Sequence, residues 1–210
     1  MHFMAKHRSI VIIVAIAVVA LALFAIVFND TARRVYEPVL GWVGFGHKEF
    51  HIHADFKVFI NEKPVDFTAP QYQSTKDAVL DRGVHLHDQD GAVLHMHERG
   101  VTLSRTFSSL GMSLANECFG LDTGETFCND GEKTLRMYVN GKLNKKFGEY
   151  VFKDLDKILI TYGAEEEAKM QLETITDIAC IFSVQCPERG EPPEEGCVTG
   201  AGCPIDYTIE

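Results

Sequence analysis

The sequence predicts an α+β protein with an N-terminal transmembrane helix. Three observations support this fold class: a long apolar run near the start, segments of alternating apolar and polar residues in the middle, and a helical repeat near the end. The predicted units are a cytoplasmic N-terminus (1–9), a transmembrane anchor (10–28), a juxtamembrane linker (29–47), an α+β histidine-rich domain (48–163), a helix (164–182) and a Cys/Pro-rich tail (183–210).

The transmembrane prediction rests on residues 10–28, an unbroken apolar run of 19 residues. As a helix rising ~1.5 Å per residue, this run is about long enough to cross the ~30 Å hydrocarbon core of a bilayer. A cleaved secretory signal, which would have a shorter apolar core, and a buried helix are the alternatives. Lys6 and Arg8 before the run are matched by Arg33 and Arg34 after it, so the positive charges do not decide the orientation.

Cysteine usage and net charge indicate the compartment and the partners. The chain has six cysteines and no Cys-x-x-Cys motif, which is typical of structural disulfides outside the cytoplasm. We therefore expect a single-pass cell-membrane protein with an extracytoplasmic C-terminal domain. The formal net charge of −10 argues against nucleic acid as a partner, because a phosphate-binding surface needs an excess of Lys and Arg.

Two β-hairpins and a final strand are predicted in the histidine-rich domain. Residues 50–67 alternate between apolar and polar, turn near Asn61 and continue in a second strand. Residues 135–147 repeat this arrangement, with a type I′ turn signal at Asn140-Gly141. The two hairpins either record an internal duplication or use the same turn chemistry. Residues 150–163 end the domain with an Asp-rich turn and a β-rich strand.

Two helices are predicted from capping residues and apolar spacing. Thr102 is an N-cap residue for a short helix, and Gly111 suits the position just beyond its C-terminus. Residues 165–182 carry one apolar stripe at helical spacing and begin with three glutamates, which suit the positive end of a helix dipole. The Pro-rich tail that follows has few core residues and needs crosslinks to stay ordered.

Three His-x-His pairs dominate the middle of the sequence. Because strand residues i and i+2 point to the same face about 6.6 Å apart, each pair presents two imidazoles side by side. The pairs are His51 and His53, His85 and His87, and His95 and His97. The last two pairs are the core of the prediction, and the first adds ligands if its strand is adjacent. Asp55 shares a strand face with the first pair and could ligate a metal or orient a ligand.

The turn between the last two pairs decides whether they share a face. With an odd number of loop residues, His85 opposes His95 and all four imidazoles lie on the same face. A three-residue loop, Gln89-Asp90-Gly91, meets this condition with Gly91 in the left-handed conformation, and Asp88 then occupies the favoured first turn position. A two-residue loop would place the pairs on opposite faces.

The histidine pattern predicts a transition-metal site for Cu or Zn. Imidazole nitrogens bind these ions readily, and three or four imidazoles on a rigid sheet face make a complete ligand set. The alternative is that the histidines are polar residues on an exposed sheet face.

The cysteines predict disulfide bonds. Cys118 and Cys128 close a local loop and are expected to pair with each other. The other four allow three pairings that the sequence does not separate. A zinc site of four thiolates is the alternative, but the spacing does not match a zinc ribbon or finger. These four residues are Cys180, Cys186, Cys197 and Cys203.

Two segments, His51–Asn61 and His85–His97, resemble motifs of a family of small, membrane-anchored prokaryotic proteins of unsettled function. The resemblance extends from about Phe50 to Gly190. Members are sometimes labelled protein-disulfide isomerase, which implies thiol–disulfide chemistry, but this chain lacks a Cys-x-x-Cys motif. More locally, Tyr138–Lys142 and Leu155–Ile158 are similar to the closing part of β-grasp domains, which implies a β-grasp-like sheet.

Together these observations predict a membrane-anchored, extracytoplasmic protein that binds Cu or Zn through His-x-His pairs. No catalytic residue is assigned, because the chain has no P-loop, dinucleotide fingerprint or Gly-x-Ser-x-Gly motif. Holding or delivering a metal is therefore favoured over catalysis. One alternative is a thiol–disulfide oxidoreductase or isomerase that uses Cys118 and Cys128. The other is a structural or partner-binding ectodomain with incidental histidines.

Overall fold

The computed structural model describes residues 50–193 and shows a mostly β protein that is about 19% helical. The strands are β1 Ile52–Ile60, β2 Lys63–Pro64, β3 Val84–His85, β4 Val93–Met96, β5 Ser113–Leu114, β6 Cys118–Gly120, β7 Thr126–Cys128, β8 Thr134–Val139, β9 Lys142–Leu143 and β10 Lys157–Gly163. The α-helices are α1 Leu103–Ser109, α2 Glu165–Leu172 and α3 Ala179–Phe182. Single 3-10 turns occur at Pro70–Tyr72, Phe147–Glu149 and Pro187–Arg189. The predicted α+β class is therefore wrong, because strands form the framework and the helices are few and short.

A mixed seven-stranded sheet organises the described chain. Its order is β3-β4-β1-β10-β8-β9, and β2 also pairs with β1. β1 is central: it runs parallel to β10, with Phe56 opposite Ile158, and antiparallel to β4, with His53 opposite His95. Residues on both faces of β1 are buried, so its polar side chains need partners inside the protein.

The two faces of β1 have different neighbours. Ala54, Phe56 and Val58 point into the apolar core. His53 and Asp55 alternate with them and therefore point to the opposite face. They are buried as well, with exposed fractions of 2% and 1%. The second face of the sheet thus combines burial with titratable side chains, which is where a binding site is expected.

Helix α1 begins and ends where the sequence predicts. The Thr102 side chain accepts a hydrogen bond from the Arg105 backbone N–H (3.3 Å), and Gly111 follows the last turn with a φ of 74°. Phe107, in the middle of α1, is fully buried, and its ring centroid lies 5.2 Å from that of Phe119. The helix therefore closes the apolar side of the domain.

Both predicted hairpins and the final strand are confirmed. β1 and β2 are joined by a turn at Asn61 (φ 57°), and β8 and β9 are joined at Asn140-Gly141. The φ values of 52° and 74° at the second turn fit the predicted type I′ geometry. The final strand is β10, which lies between β1 and β8.

A separate three-stranded sheet, in the order β5-β6-β7, carries the first disulfide. Cys118 lies opposite Cys128 in the β6–β7 ladder, and the two residues form the predicted bond. Cys180 bonds to Cys186, which selects one of the pairings that the sequence left open and excludes a site of four thiolates. Cys197 and Cys203 lie outside the described residues.

The prediction of one helix over residues 164–182 is wrong, because α2 and α3 are separate. Side chains of β1 form hydrogen bonds with backbone groups of the segment that joins α2 to α3. Lys57 Nζ donates to the Thr174 carbonyl (2.8 Å), and the Asp55 carboxylate accepts from two backbone N–H groups at the start of α3 (2.9 and 3.1 Å). These tertiary hydrogen bonds replace the i to i−4 bonds of a continuous helix, so the chain bends where it packs on β1.

Among residues 50–193, no helix is long and apolar enough to cross a membrane, and the eight residues of α2 fall far short of the ~20 required. The predicted localisation as a single-pass membrane protein is therefore corrected, since the described chain gives it no support. Its apolar residues are used in strands that pack into one core. The predicted units within residues 1–47, including the anchor at 10–28, lie outside the described residues.

Candidate metal centre

Three adjacent strands bring the predicted histidines together. His95 on β4 lies opposite His53 on β1 and opposite His85 on β3. The other member of each His-x-His pair lies two residues away, just beyond the end of the same strand: His51 before β1, His87 after β3 and His97 after β4. We call all six residues the histidine cluster: His51, His53, His85, His87, His95 and His97. The predicted convergence of the second and third pairs is confirmed, and the first pair joins them.

The turn that achieves this register differs from the predicted one. The turn residues are Asp88 and Gln89, with φ values of 56° and 62°, and the Asp90 N–H donates to the His87 carbonyl (3.0 Å). This is type I′ geometry, whereas Gly91 has no positive φ. Gly91 serves close packing instead, because an added Cβ would lie 2.7 Å from the backbone nitrogen of residue 68. The predicted register, with His85 opposite His95, is confirmed, but the predicted three-residue loop with a left-handed Gly91 is wrong.

The imidazole rings of the histidine cluster form a closed circuit of contacts. The centroid separations around it are 4.3 Å for His51–His53, 4.8 Å for His53–His95, 4.1 Å for His95–His87, 5.4 Å for His87–His85, 4.8 Å for His85–His97 and 4.1 Å for His97–His51. Each ring thus touches two others. Six imidazoles packed in this way present many nitrogen lone pairs to one small volume.

One triad within the cluster has the spacing of a metal site. His51, His53 and His95 each offer a ring nitrogen, and these atoms all lie within 4.8 Å of one another. The Nε2 atoms of His51 and His53 are 3.0 Å apart. Ligand nitrogens around a tetrahedral zinc ion with ~2.1 Å bonds are separated by about 3.4 Å, so small side-chain rotations suffice to place an ion. The triad could therefore hold a metal ion.

Neighbouring oxygen atoms fix the tautomer of His53. The Ser183 hydroxyl donates to Asp154 Oδ1 (2.5 Å), so its oxygen accepts from His53 Nδ1 (2.7 Å). Asp154 Oδ1 also accepts from the backbone N–H of His53 (3.0 Å). With the proton on Nδ1, the lone pair of His53 is on Nε2, which faces His51. This relay of imidazole, hydroxyl and carboxylate is typical of the outer shell of metal-binding histidines.

Hydrogen-bond acceptors also fix the Nδ1-protonated tautomer of His85 and His87. His85 Nδ1 lies 3.1 Å from the backbone carbonyl of Asp81, which can only accept, so this nitrogen carries the proton. His87 Nδ1 lies 2.7 Å from the Asp88 carboxylate and donates to it for the same reason. Both residues therefore have their lone pair on Nε2.

Burial keeps the central imidazoles neutral. His95 is fully buried, and desolvation, followed by the neighbouring histidines, holds its pKa well below the usual value. Desolvation likewise lowers the pKa of His97 to about 3, with further contributions from the charges of His51 and His85. Metals bind the neutral imidazole, so protons compete weakly for these nitrogens near neutral pH.

Helix α3 covers the cluster from the C-terminal side. The Phe182 ring centroid lies 5.2 Å from that of His95 and 5.6 Å from that of His53. Asp55 holds α3 in place: besides the two backbone bonds described above, it accepts from the Thr176 hydroxyl (2.5 Å). Asp55, a candidate ligand in the sequence, is thus an anchor for the covering helix.

Sequence reasoning missed Ser183, Asp154 and Phe182. Each comes from a segment far from the His-x-His pairs, with separations from His53 of 130 residues for Ser183 and 101 for Asp154. Their residue types are common on protein surfaces, and no local pattern marks them. Only the fold reveals that they contact the cluster.

Comparison with known proteins gives no independent identification. No family model, curated protein or solved structure matches the chain. The resemblance stated from the histidine motifs therefore stays a prediction. What the fold and the site define is a class: a mostly β domain with two disulfides among residues 50–193 and a largely buried histidine site that could hold a metal ion.

Proposed function

We propose that this protein binds a transition-metal ion, Cu or Zn, through His51, His53 and His95. The observation that carries the proposal is the convergence of these three ring nitrogens on one another within 4.8 Å. The Ser183–Asp154 relay supports it, because it presents the Nε2 lone pair of His53 to the same point.

The donor set favours Cu or Zn over other common ions. The candidate ligands are all imidazoles, which suit zinc, copper, nickel and iron. Calcium and magnesium take oxygen ligands, and the nearest carboxylates are engaged elsewhere: Asp55 with α3 and Asp154 with Ser183. An ion that prefers nitrogen is therefore the better fit.

Two of the three ligands, His53 and His95, are buried and His51 is half-buried, and this partial enclosure favours holding or delivering the ion. Catalytic zinc sites keep one coordination position open to substrate. Here His95 has no exposed surface and Phe182 packs against two of the three ligands. A buried ion with such a cover exchanges slowly, which suits a protein that stores a metal or hands it to a partner.

The test is metal binding by the full chain. The protein is stripped with a chelator, dialysed against Zn(II) or Cu(II) near neutral pH, and its affinity is measured by competition with a chromogenic chelator. The double variant His53→Gln/His95→Gln should lose more than about 100-fold in affinity, since outer-shell partners alone are worth ~10–100-fold.

The matched control is His7→Gln, which removes a histidine outside the described residues. It should bind as the wild type does. Near-UV circular dichroism shows whether each variant keeps its packed core. The proposal fails if the wild type retains neither metal, or if the double variant binds as tightly as the control.

A further inference from the structure

The Cys180–Cys186 disulfide closes a short ring of chain around two residues that contact the histidine cluster. The two cysteines are separated by 6 positions in the sequence, and Phe182 and Ser183 lie between them. The Phe182 ring packs on His53 and His95, and the Ser183 hydroxyl accepts from His53 Nδ1 (2.7 Å). The disulfide therefore joins the two ends of the segment that makes these contacts.

The C-terminal end of this ring is attached to the domain through Cys186. Within the ring, the Gln185 N–H donates to the Cys180 carbonyl (2.8 Å), so this hydrogen bond holds the ring to itself. Residues 187–193 are all exposed, whereas Cys186 is only 7% exposed. Cys186 is thus the buried point at this end, and the disulfide ties it to α3.

The backbone at Val184 indicates that the ring is under constraint. Val184 has a φ of 53°, which is strained for a β-branched residue, and its side chain is 60% exposed. Such a conformation persists only where the surrounding structure enforces it. An exposed side chain contributes little to that, but closure of the ring does. Opening the disulfide therefore lets Val184 relax and lets the adjacent Ser183 move with it.

The surroundings of Cys180 suit thiol–disulfide exchange. Cys180 is partly exposed, and Arg189 Nη1 lies 3.3 Å from its sulfur. The same guanidinium also contacts the Asp177 carboxylate (3.2 Å). A neighbouring cation stabilises a thiolate, which makes the sulfur a better leaving group. A reductant can therefore reach this disulfide, and Arg189 favours release of the Cys180 thiolate.

We propose that the Cys180–Cys186 disulfide is a redox switch whose reduction releases Ser183 from His53. The reductant is a dithiol. Its first thiolate attacks Cys180 Sγ to form a mixed disulfide, and Cys186 leaves as a thiolate that takes up a proton. Its second thiol then displaces Cys180, so the reductant is oxidised to a disulfide while the protein gains two electrons and two protons.

Release of Ser183 changes the binding atom of His53. In the closed ring, the Ser183 oxygen keeps the His53 proton on Nδ1 and the lone pair on Nε2. Without this acceptor, the proton is shared between the two ring nitrogens. This effect concerns the metal-free protein. Its consequence, weaker binding of the ion in the reduced form, rests on the proposed function.

The tautomer of His53 in the metal-free full chain tests the inference. Long-range proton–nitrogen correlation spectra report which ring nitrogen carries the proton. The wild type should show the Nδ1-protonated form, and in Cys180→Ser/Cys186→Ser both nitrogen shifts should move toward the average of the two tautomers. The matched control, Cys118→Ser/Cys128→Ser, removes the disulfide of the three-stranded sheet and should match the wild type.

Reversible reduction repeats the test without relying on the folding of the first variant. The control variant is reduced with dithiothreitol, which should shift its His53 spectrum in the same way and speed hydrogen exchange at the Gln185 amide by more than about 10-fold. Re-oxidation should restore both. An unchanged His53 tautomer after the disulfide is opened overturns the inference, whatever the exchange rate.

Metal affinity separates this inference from the proposed function. Because dithiothreitol itself binds metals, the two serine variants are compared without it. Cys180→Ser/Cys186→Ser should bind Zn(II) or Cu(II) about 10–100-fold more weakly than the control, the usual effect of losing an outer-shell partner. A wild type that binds no metal overturns the proposed function and leaves the tautomer result standing. Equal affinities in the two variants overturn the link between the disulfide and the ion.

Discussion

At the residue scale, the proposed metal centre depends on which ring nitrogen carries the proton. Ser183 illustrates this dependence, because its hydroxyl donates to Asp154 and its oxygen must then accept from His53. A neutral imidazole protonated on Nδ1 can bind a metal only through Nε2. The side chain of Ser183 therefore selects Nε2 as the atom of His53 that is available to a metal.

Ser183→Ala should weaken metal binding by about 10–100-fold, because His53 loses the acceptor that fixes its tautomer. The free energy of unfolding of the metal-free protein should fall by only about 0.5–1.5 kcal/mol, the usual contribution of one hydrogen bond. Chelator competition and urea unfolding measure the two quantities.

The matched control is Ser108→Ala, at an exposed serine of α1. It should leave both quantities near the wild-type values. Equal metal affinity in Ser183→Ala and Ser108→Ala would show that Ser183 does not position His53.

Some residues of the candidate metal centre could be predicted from the sequence, and others could not. The histidines are visible in the sequence, because strand periodicity places i and i+2 on one face. Ser183 and Phe182 are not visible, because their role depends on where α3 docks. Local sequence patterns predict local geometry, whereas the contacts around the ligands depend on the tertiary structure.

At the element scale, α3 is a cover held on β1 by one carboxylate. Asp55 accepts hydrogen bonds from the Thr176 hydroxyl and from the backbone N–H groups of Ile178 and Ala179. The side chain is 1% exposed, so its charge relies on these three donors in place of water. The cover and the carboxylate therefore stabilise each other.

Asp55→Asn should loosen the cover, because an amide offers one acceptor oxygen and directs its NH2 group at backbone donors. We expect a loss of about 1.5–3 kcal/mol in unfolding free energy, the range for a hydrogen bond to a charged group. Metal release to excess chelator should be faster than from the wild type. Urea unfolding and stopped-flow absorbance measure these effects.

Asp77→Asn provides the control, since Asp77 is exposed and carries the same charge. A release rate in Asp55→Asn equal to that of the control would mean that α3 does not limit exchange. The unfolding free energy, measured on the same variants, shows whether a change in the release rate comes from a general loss of stability.

Turns and helices show why the sequence predicts some elements and not others. Asn140-Gly141 has the predicted geometry because the turn preference and the sheet register agree. At residues 88–91 they conflict: Gly91 is required for close approach to the backbone near Phe67, so Asp88 and Gln89 take the left-handed positions. A residue can satisfy a tertiary demand at the expense of its local preference.

At the scale of the whole molecule, a polar network links the β8–β9 hairpin to the candidate metal centre. The buried Asp156 carboxylate accepts from the Asn140 side chain (2.8 Å) and the Tyr150 hydroxyl (2.7 Å). It thereby shapes the turn that carries Asp154 and Leu155, which bind the backbone N–H and carbonyl of His53 (3.0 and 2.8 Å). The β8–β9 turn and the β1 ligand are thus parts of one network.

This network should make the protein sensitive to alkaline pH. Desolvation, followed by the hydrogen bond and the charge of Asp156, raises the pKa of Tyr150 above its usual value. The unfolded tyrosine loses its proton first, near pH 10, so the contribution to stability is present below about pH 10 and is lost as the pH rises further.

Tyr150→Phe should therefore lower the unfolding free energy by about 1 kcal/mol near neutral pH and flatten its fall above about pH 10. Tyr72 and Tyr162, whose pKa values are also raised mainly by desolvation, contribute further alkaline dependence. Urea unfolding at several pH values measures both effects, with Tyr138→Phe on β8 as the control. Parallel pH profiles for Tyr150→Phe and the wild type would contradict this assignment.

The fold as a whole was only partly predictable. The hairpins, α1 and the final strand follow from local periodicity and capping. The class was wrong because the helical stripe of residues 164–182 is interrupted by Lys57 and Asp55, which belong to a strand more than a hundred residues earlier. The sheet order, with β1 beside β10, is likewise a long-range property that no local pattern encodes.

The position of Ser183 also has a consequence for biosynthesis. It follows His53 by 130 residues, and a ribosome adding about 5–20 residues per second needs roughly 6–26 s to cover that distance. Throughout this interval the nascent chain displays its first imidazoles without the hydroxyl that selects their binding atom and without the aromatic cover. If the histidine cluster binds a metal as proposed, its complete ligand environment exists only in the finished polypeptide.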